Sequence, residues 1–207
     1  AYHIDSVEFH RNTRRASVSF NFLREGQSIQ TAYHILKRAL GSDYQKILAA
    51  EKTIPGRLKK IVDTIEDISG LEHFGAYLTL LFEVDALIAN EDRHLNNIAI
   101  LEENGKYHYC PLFDNGEGLM LDNVKYPFDV ETRGLMKHLR AKPFQCRFGT
   151  VLSTARDLYG AQLKIVCSAA EVSKIAEKYL DWYQPMFRPF LKDRIVDVVL
   201  LQMKKYF

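Results

Sequence analysis

Cysteine is scarce in this sequence: there are three in 207 residues, Cys110, Cys146 and Cys167, far apart and never in a C-x-x-C pair. That spacing argues against a disulfide framework and against a thiolate zinc site, and it fits a reducing compartment. Long apolar runs are missing too. No stretch approaches the roughly 18 residues that span a bilayer, and Ala1–Asp5 lacks a basic segment leading into an apolar one. The expectation is a soluble, cytoplasmic chain with no membrane partner. Excess charge of one sign is absent as well. The 28 Lys and Arg against 26 Asp and Glu leave +2, too little to predict a nucleic-acid partner by itself. There is no repeat, no G-x-S-x-G elbow for a serine hydrolase, and no H-x-x-x-H pair of the zincin kind among the seven histidines. His34 and His73 read as ordinary helix residues.

What is present is ordinary globular material, 47% hydrophobic and 26% charged, with enough chain to bury a core unaided. Residues 1–27 alternate loosely and predict one or two strands around a basic turn at Arg11–Arg15. Arg14-Arg15-Ala16-Ser17 has the string of a basophilic kinase substrate, a pattern that also arises by chance. Beyond residue 27 the pattern turns helical. Ser28 is placed to cap a helix carrying Ile29, Ala32, Tyr33, Leu36 and Leu40, with Gly41 to end it. Ser42 and Gln45 have capping-box spacing for a short helix to Ala50, and Pro55 suits the first turn of a third that ends at Gly70. A fourth is expected over 71–89, with Phe74, Leu78, Leu81 and Ile88 on its buried stripe. Asp85 falls on that stripe, either at its margin in water or buried against a donor. Short apolar runs at 98–101 and 107–110, joined through Asn104-Gly105, predict a hairpin. Helices return at 148–159, at 169–180 and from near Pro189. The fold class expected is α+β, predominantly α.

Chemistry concentrates between residues 90 and 118. Phosphoryl transfer from ATP needs a carboxylate beside the acceptor hydroxyl, an amide oxygen on a metal ion, and a second carboxylate on the metals that bridge the phosphates. Asp92 and Asn97 have the five-residue offset of the first two. Asp114-Asn115-Gly116, beyond the hairpin, supplies the third, with Gly116 expected to let the backbone swing the carboxylate over the loop. Asp85, seven residues before Asp92, is expected to accept hydrogen bonds from loop N–H groups or from the His94 ring. A basic tract holding Arg133, Lys137, Arg140, Lys142, Arg147 and Arg156 lacks any acidic residue between Thr132 and Arg156. It reads either as a solvated face or as a docking surface for a phosphorylated, acidic or nucleic-acid partner.

Asp85, Asn90, Asp92-Arg93-His94, Asn97 and Pro111-Leu112-Phe113-Asp114-Asn115-Gly116 resemble the catalytic core of HipA-like serine/threonine protein kinases, which is similar in its D-R-H loop to phosphatidylinositol kinases. Ser19–Leu23 and Ala141–Phe144 resemble flanking segments of that family. The resemblance implies a kinase-like C-terminal lobe, with residues 1–27 as a hinge-like strand segment, 28–207 as a helical lobe and 90–118 as the catalytic hairpin. It implies Asp92 as catalytic base, Asn97 and Asp114 as metal and nucleotide-binding ligands, and Asp85 and His94 as supports of the loop. It further implies Mg²⁺ and ATP as cofactors, a Ser or Thr of a protein as acceptor, and an antitoxin or an N-terminal lobe as partner. No Gly-rich loop or strand lysine precedes Asp92, so the N-terminal lobe is expected to be absent here and the chain inactive alone. The alternative is a kinase-derived, non-catalytic module that contacts protein or nucleic acid through the Arg133–Arg156 tract.

Overall fold

The computed structural model describes residues 2–181 and 183–207, and in the Arg14–Ser17 string the side chains of Arg15 and Ser17 lie outside the described ones. Among the described residues there are eight α-helices and five strands, in a mixed α+β arrangement dominated by helix. Strands β1 (Tyr2–Phe9) and β2 (Asn12–Ser19) form an antiparallel hairpin of their own. Its turn is His10–Arg11, both at positive φ, so the basic run expected to be the turn lies mostly within β2. A second sheet has the order β3-β4-β5, built from Gln27–Thr31, Ala99–Glu103 and Lys106–Tyr109. Asn104 and Gly105 close its hairpin at φ 52° and 76°, the left-handed pair that an Asn-Gly turn favours.

Strand β3 corrects the expected helix start at Ser28. Ile29 belongs to the strand and packs with Ala99, Leu101 and Cys110. Thr31 is the cap instead, accepting from the His34 N–H of α1 (Ala32–Leu40), and the Ala32 N–H donates to the Ile98 carbonyl at 2.7 Å. Helix α1 therefore starts where the sheet ends. Asp43, rather than Ser42, precedes α2 (Tyr44–Ala50), and Gln45 donates to the Tyr44 hydroxyl instead of closing a capping box. Helix α3 (Ile54–Ser69) has its proline in the first turn and Gly70 in the left-handed C-cap, as expected.

The core lies between α1, α3, α4 (Phe74–Ile88), α6 (Phe148–Tyr159) and α8 (Arg188–Tyr206). His73 caps α4 at φ 65° and is not within a helix. Gly75 lets α4 approach α6 closely, because a methyl group there would overlap the Tyr159 ring. Glu83 of α4 is fully buried against Arg156 of α6 at 2.7 Å, and it also accepts from the Gln162 and Leu163 N–H groups. Helix α7 (Ala169–Leu180) begins with a Ser168–Glu171 capping box and packs on α8. On α8 the buried positions are Leu191, Arg194, Val198 and Gln202, whereas Phe190 beside them is 55% exposed. Between β5 and α6 the chain is mostly irregular. The short helix α5 (Thr132–Leu135) and Arg194 organise it, the latter donating to the carbonyls of Met120, Tyr126, Pro127 and Val130. Among the described residues no helix is long and apolar enough to cross a membrane.

Candidate active site

Helix α4 stops at Ala89, which takes the left-handed conformation, and the Asn90 N–H folds back to the Asp85 carbonyl at 2.8 Å. This places Asp85 one turn from the helix end, directly under residues 90–97. Its carboxylate is buried, at 2% exposure. The partners differ from those expected. Asp85 accepts from Arg93 Nε and Nη2, both at 2.9 Å, and from the Asn90 amide at 2.7 Å, not from loop N–H groups or from His94. The reason is geometric: the guanidinium fork matches both carboxylate oxygens, which a ring nitrogen cannot do. Burial pushes the Asp85 carboxyl up, opposed by the charge and hydrogen bonds of Arg93 and by Asn90.

Arg93 is itself 1% exposed, and every one of its N–H donors is used. Nη1 donates to the carbonyls of Asn97 and Phe113, both at 2.8 Å, and Nη2 also donates to Asn115 Oδ1 at 2.5 Å. One side chain thus joins the end of α4, the Asp92–Asn97 loop and the Asp114-Asn115-Gly116 turn. The carbonyls of Asn97 and Phe113 lie within two hydrogen-bond lengths of each other, so the turn returns beside the loop across the β4–β5 hairpin. Asp114 itself adopts φ 52°, and Gly116 does not. The backbone reversal therefore rests on an aspartate, a residue that tolerates the left-handed region, and not on the glycine expected to supply it.

The site side chains fall into two groups. Asn97 is buried and donates its amide to the Asp92 carbonyl at 3.1 Å, while Asn97 Oδ1 has no hydrogen-bond donor among the described residues. Asp114 is exposed and its carboxylate is unpaired among the described residues. These are two free oxygens on adjoining segments. Among the described residues no three His, Cys, Asp or Glu side chains cluster as a metal site. An amide oxygen with one carboxylate suits a hard cation that takes its remaining ligands from phosphates and water, as Mg²⁺ does.

Asp92 is engaged. Lys142 Nζ lies 2.5 Å from Asp92 Oδ1, and His94 Nε2 lies 3.6 Å from Asp92 Oδ2. His94 thus faces Asp92 and not Asp85, too far for a hydrogen bond, and its Nδ1 is buried without a partner among the described residues. Nothing in the spacing announces that Lys142 reaches the loop. A tight turn closed by the Ala141–Cys146 bridge delivers it, fifty residues downstream. Glu91 was also silent in the sequence. It accepts from Lys125 at 2.8 Å, from the Arg140 N–H at 2.6 Å and from the Tyr126 hydroxyl. Burial alone would raise the Glu91 carboxyl, but these hydrogen bonds hold it below the ordinary glutamate range. Burial and the Glu91 charge push Tyr126 up to about 12. The basic tract consequently divides: Lys142 belongs to the site, Arg156 to a buried ion pair with Glu83, and only part of it forms an open face.

Compared with protein-family models, with curated proteins and with solved structures, the chain matches none.

Proposed function

We propose that this chain carries a kinase-type phosphoryl-transfer site and is the C-terminal lobe of a HipA-like serine/threonine kinase. In this reading Asp92 accepts the proton of a Ser or Thr hydroxyl, whose oxygen then attacks the γ-phosphorus as ADP leaves. Lys142 holds Asp92 Oδ1, which leaves Oδ2 for the acceptor. Asn97 Oδ1 and Asp114 would hold Mg²⁺. When bound, Mg²⁺·ATP would supply the phosphoryl group and the charge that neutralises it. The observation that carries the reading is the Arg93 Nη1 bridge between the Asn97 and Phe113 carbonyls, because it sets the D-x-G turn beside the D-R-H loop as shared metal ligation requires. A Gly-rich loop and a strand lysine have no counterpart among the 207 residues, so ATP turnover by the chain alone is expected to be weak.

The Lys142–Asp92 ion pair favours a second reading, a kinase-derived fold whose base is permanently occupied and which only binds partners. One experiment separates the two. In the presence of ADP, paramagnetic Mn²⁺ should broaden the amide resonances of residues 92–97 and 113–116 in the wild type and spare them in Asp114→Asn. Broadening confined to other segments, or unchanged by Asp114→Asn, would remove the phosphoryl-transfer reading and leave the binding module.

A further inference from the structure

The open part of the basic tract meets the end of α8. Arg133, Lys137 and Arg147 from the 132–148 region and Lys204 and Lys205 from α8 line two cavities of about 310 and 450 Å³ that share Met136, Lys137 and Lys205 as walls. All five cations are exposed. The ion pairs of the region go to Lys142 and Arg156, which leaves these five without a carboxylate partner among the described residues. No Asp or Glu lines either cavity. On a chain whose net charge is only +2, five unpaired cations drawn from two distant segments form a strong local field.

The apolar floor of the cleft that solvent reaches is made by Met136 and Leu201, both half-buried, over the buried side chains of Leu139 and Phe148. A purely ionic ligand would leave that floor wet, so the surface suits a ligand that is both anionic and apolar. Nucleic acid fits less well, because single strands bind through exposed aromatic faces on which bases stack. The two aromatics here are not available for that: Phe148 is 4% exposed, and the Tyr206 ring carries Lys205 Nζ at 4.9 Å from its centroid. Aliphatic walls with a cationic rim match a peptide whose carboxylates flank an apolar side chain.

We propose that this cleft is a docking groove for an acidic segment of a partner protein, anchored by an apolar side chain. It stands on charge complementarity and an apolar floor, and does not depend on phosphoryl transfer at Asp92.

The test is fluorescence anisotropy with a labelled peptide of about ten residues, rich in Glu and Asp around a central Phe-Leu pair, titrated with the whole chain at physiological ionic strength. Saturable binding is expected. Lys137→Glu with Lys205→Glu should weaken it about tenfold or more, and the milder Lys137→Gln with Lys205→Gln should weaken it in the same direction. Lys174→Glu with Lys178→Glu makes the same charge change on exposed positions of α7 and should leave binding unaltered. Replacing Phe-Leu of the peptide by Ser-Ser should cost about tenfold, since it removes the apolar anchor. The proposal is overturned by absent binding, by equal losses in the α7 control, by indifference to the Phe-Leu pair, or by tighter binding of a single-stranded RNA of the same charge. Thermal melts of each variant confirm that it is folded.

Discussion

Replacing Asp85 by alanine removes the carboxylate paired with a guanidinium that is 1% exposed. Arg93 keeps its bonds to the Asn97 and Phe113 carbonyls and to Asn115, but its charge is left uncompensated in a buried site. Breaking a buried pair from one side costs about 3–5 kcal/mol, which for a chain of this size lowers Tm by roughly 10 °C. Asp92→Ala is the control. Its partner Lys142 is 35% exposed and Asp92 is 31% exposed, so losing that pair should cost at most about 1 kcal/mol. Calorimetric or circular-dichroism melts of the two variants, with urea titrations for the free energies, provide the comparison. A third variant, Asp85→Leu with Arg93→Met, should be less damaging than Asp85→Ala because it removes both charges. It should still fall short of the wild type, since the Asn97 and Phe113 carbonyls lose their donor. Equal shifts for Asp85→Ala and Asp92→Ala, or a larger one for Asp92→Ala, would refute the assignment of Asp85 as the structural carboxylate and Asp92 as the open one.

Arg194→Met strips four loop carbonyls of their donor, so amide hydrogen exchange should quicken across residues 118–131 while α4 and α6 stay protected; uniform acceleration would mean that Arg194 stabilises the whole fold instead. Glu91 has its folded-state pKa lowered, so its contribution is complete above the ordinary value of 4.5 and is lost as pH falls through the depressed one. Glu91→Gln should therefore be less stable than the wild type by about 1–2 kcal/mol at pH 7, with the two melting curves converging below pH 4; a gap that persists in acid would contradict the ionic account. Gly75→Ala forces a methyl group into the Tyr159 ring and should destabilise by about 1–3 kcal/mol, read by urea unfolding. A neutral result would mean that α4 and α6 can move apart freely.

Much of the helical frame is legible in the sequence because its signals are local. Helices α6 and α7 occupy the predicted ranges, α3 ends at the expected glycine, and Asn104-Gly105 makes the expected hairpin turn. The failures come where distant pairing overrides a local pattern. Ser28 and Ile29 continue the apolar spacing of α1, yet they pair with Glu102 and Leu101, more than seventy residues away, and so form a strand. The site divides in the same way. Asp85 on an apolar stripe announces a buried donor, and Arg93 is the one cation in the adjoining segment, so the clamp was within reach of the pattern. Lys142 and Glu91 were not, because tertiary contacts of 50 and 49 residues' separation bring Lys142 to Asp92 and Arg140 to Glu91. Gly116 shows the opposite error, a residue read for its freedom whose neighbour Asp114 makes the turn.

In the proposed site Arg93 holds two segments so that Asn97 and Asp114 would share one cation. A crystal structure of the chain grown with Mg²⁺ and a non-hydrolysable ATP analogue tests it most directly. The expected result is one Mg²⁺ bound to Asn97 Oδ1 and an Asp114 carboxylate oxygen at about 2.1 Å each, with its remaining ligands from phosphate and water. Metal bound elsewhere, with Asp114 still turned to solvent and Arg93 unchanged between the Asn97 and Phe113 carbonyls, would contradict it.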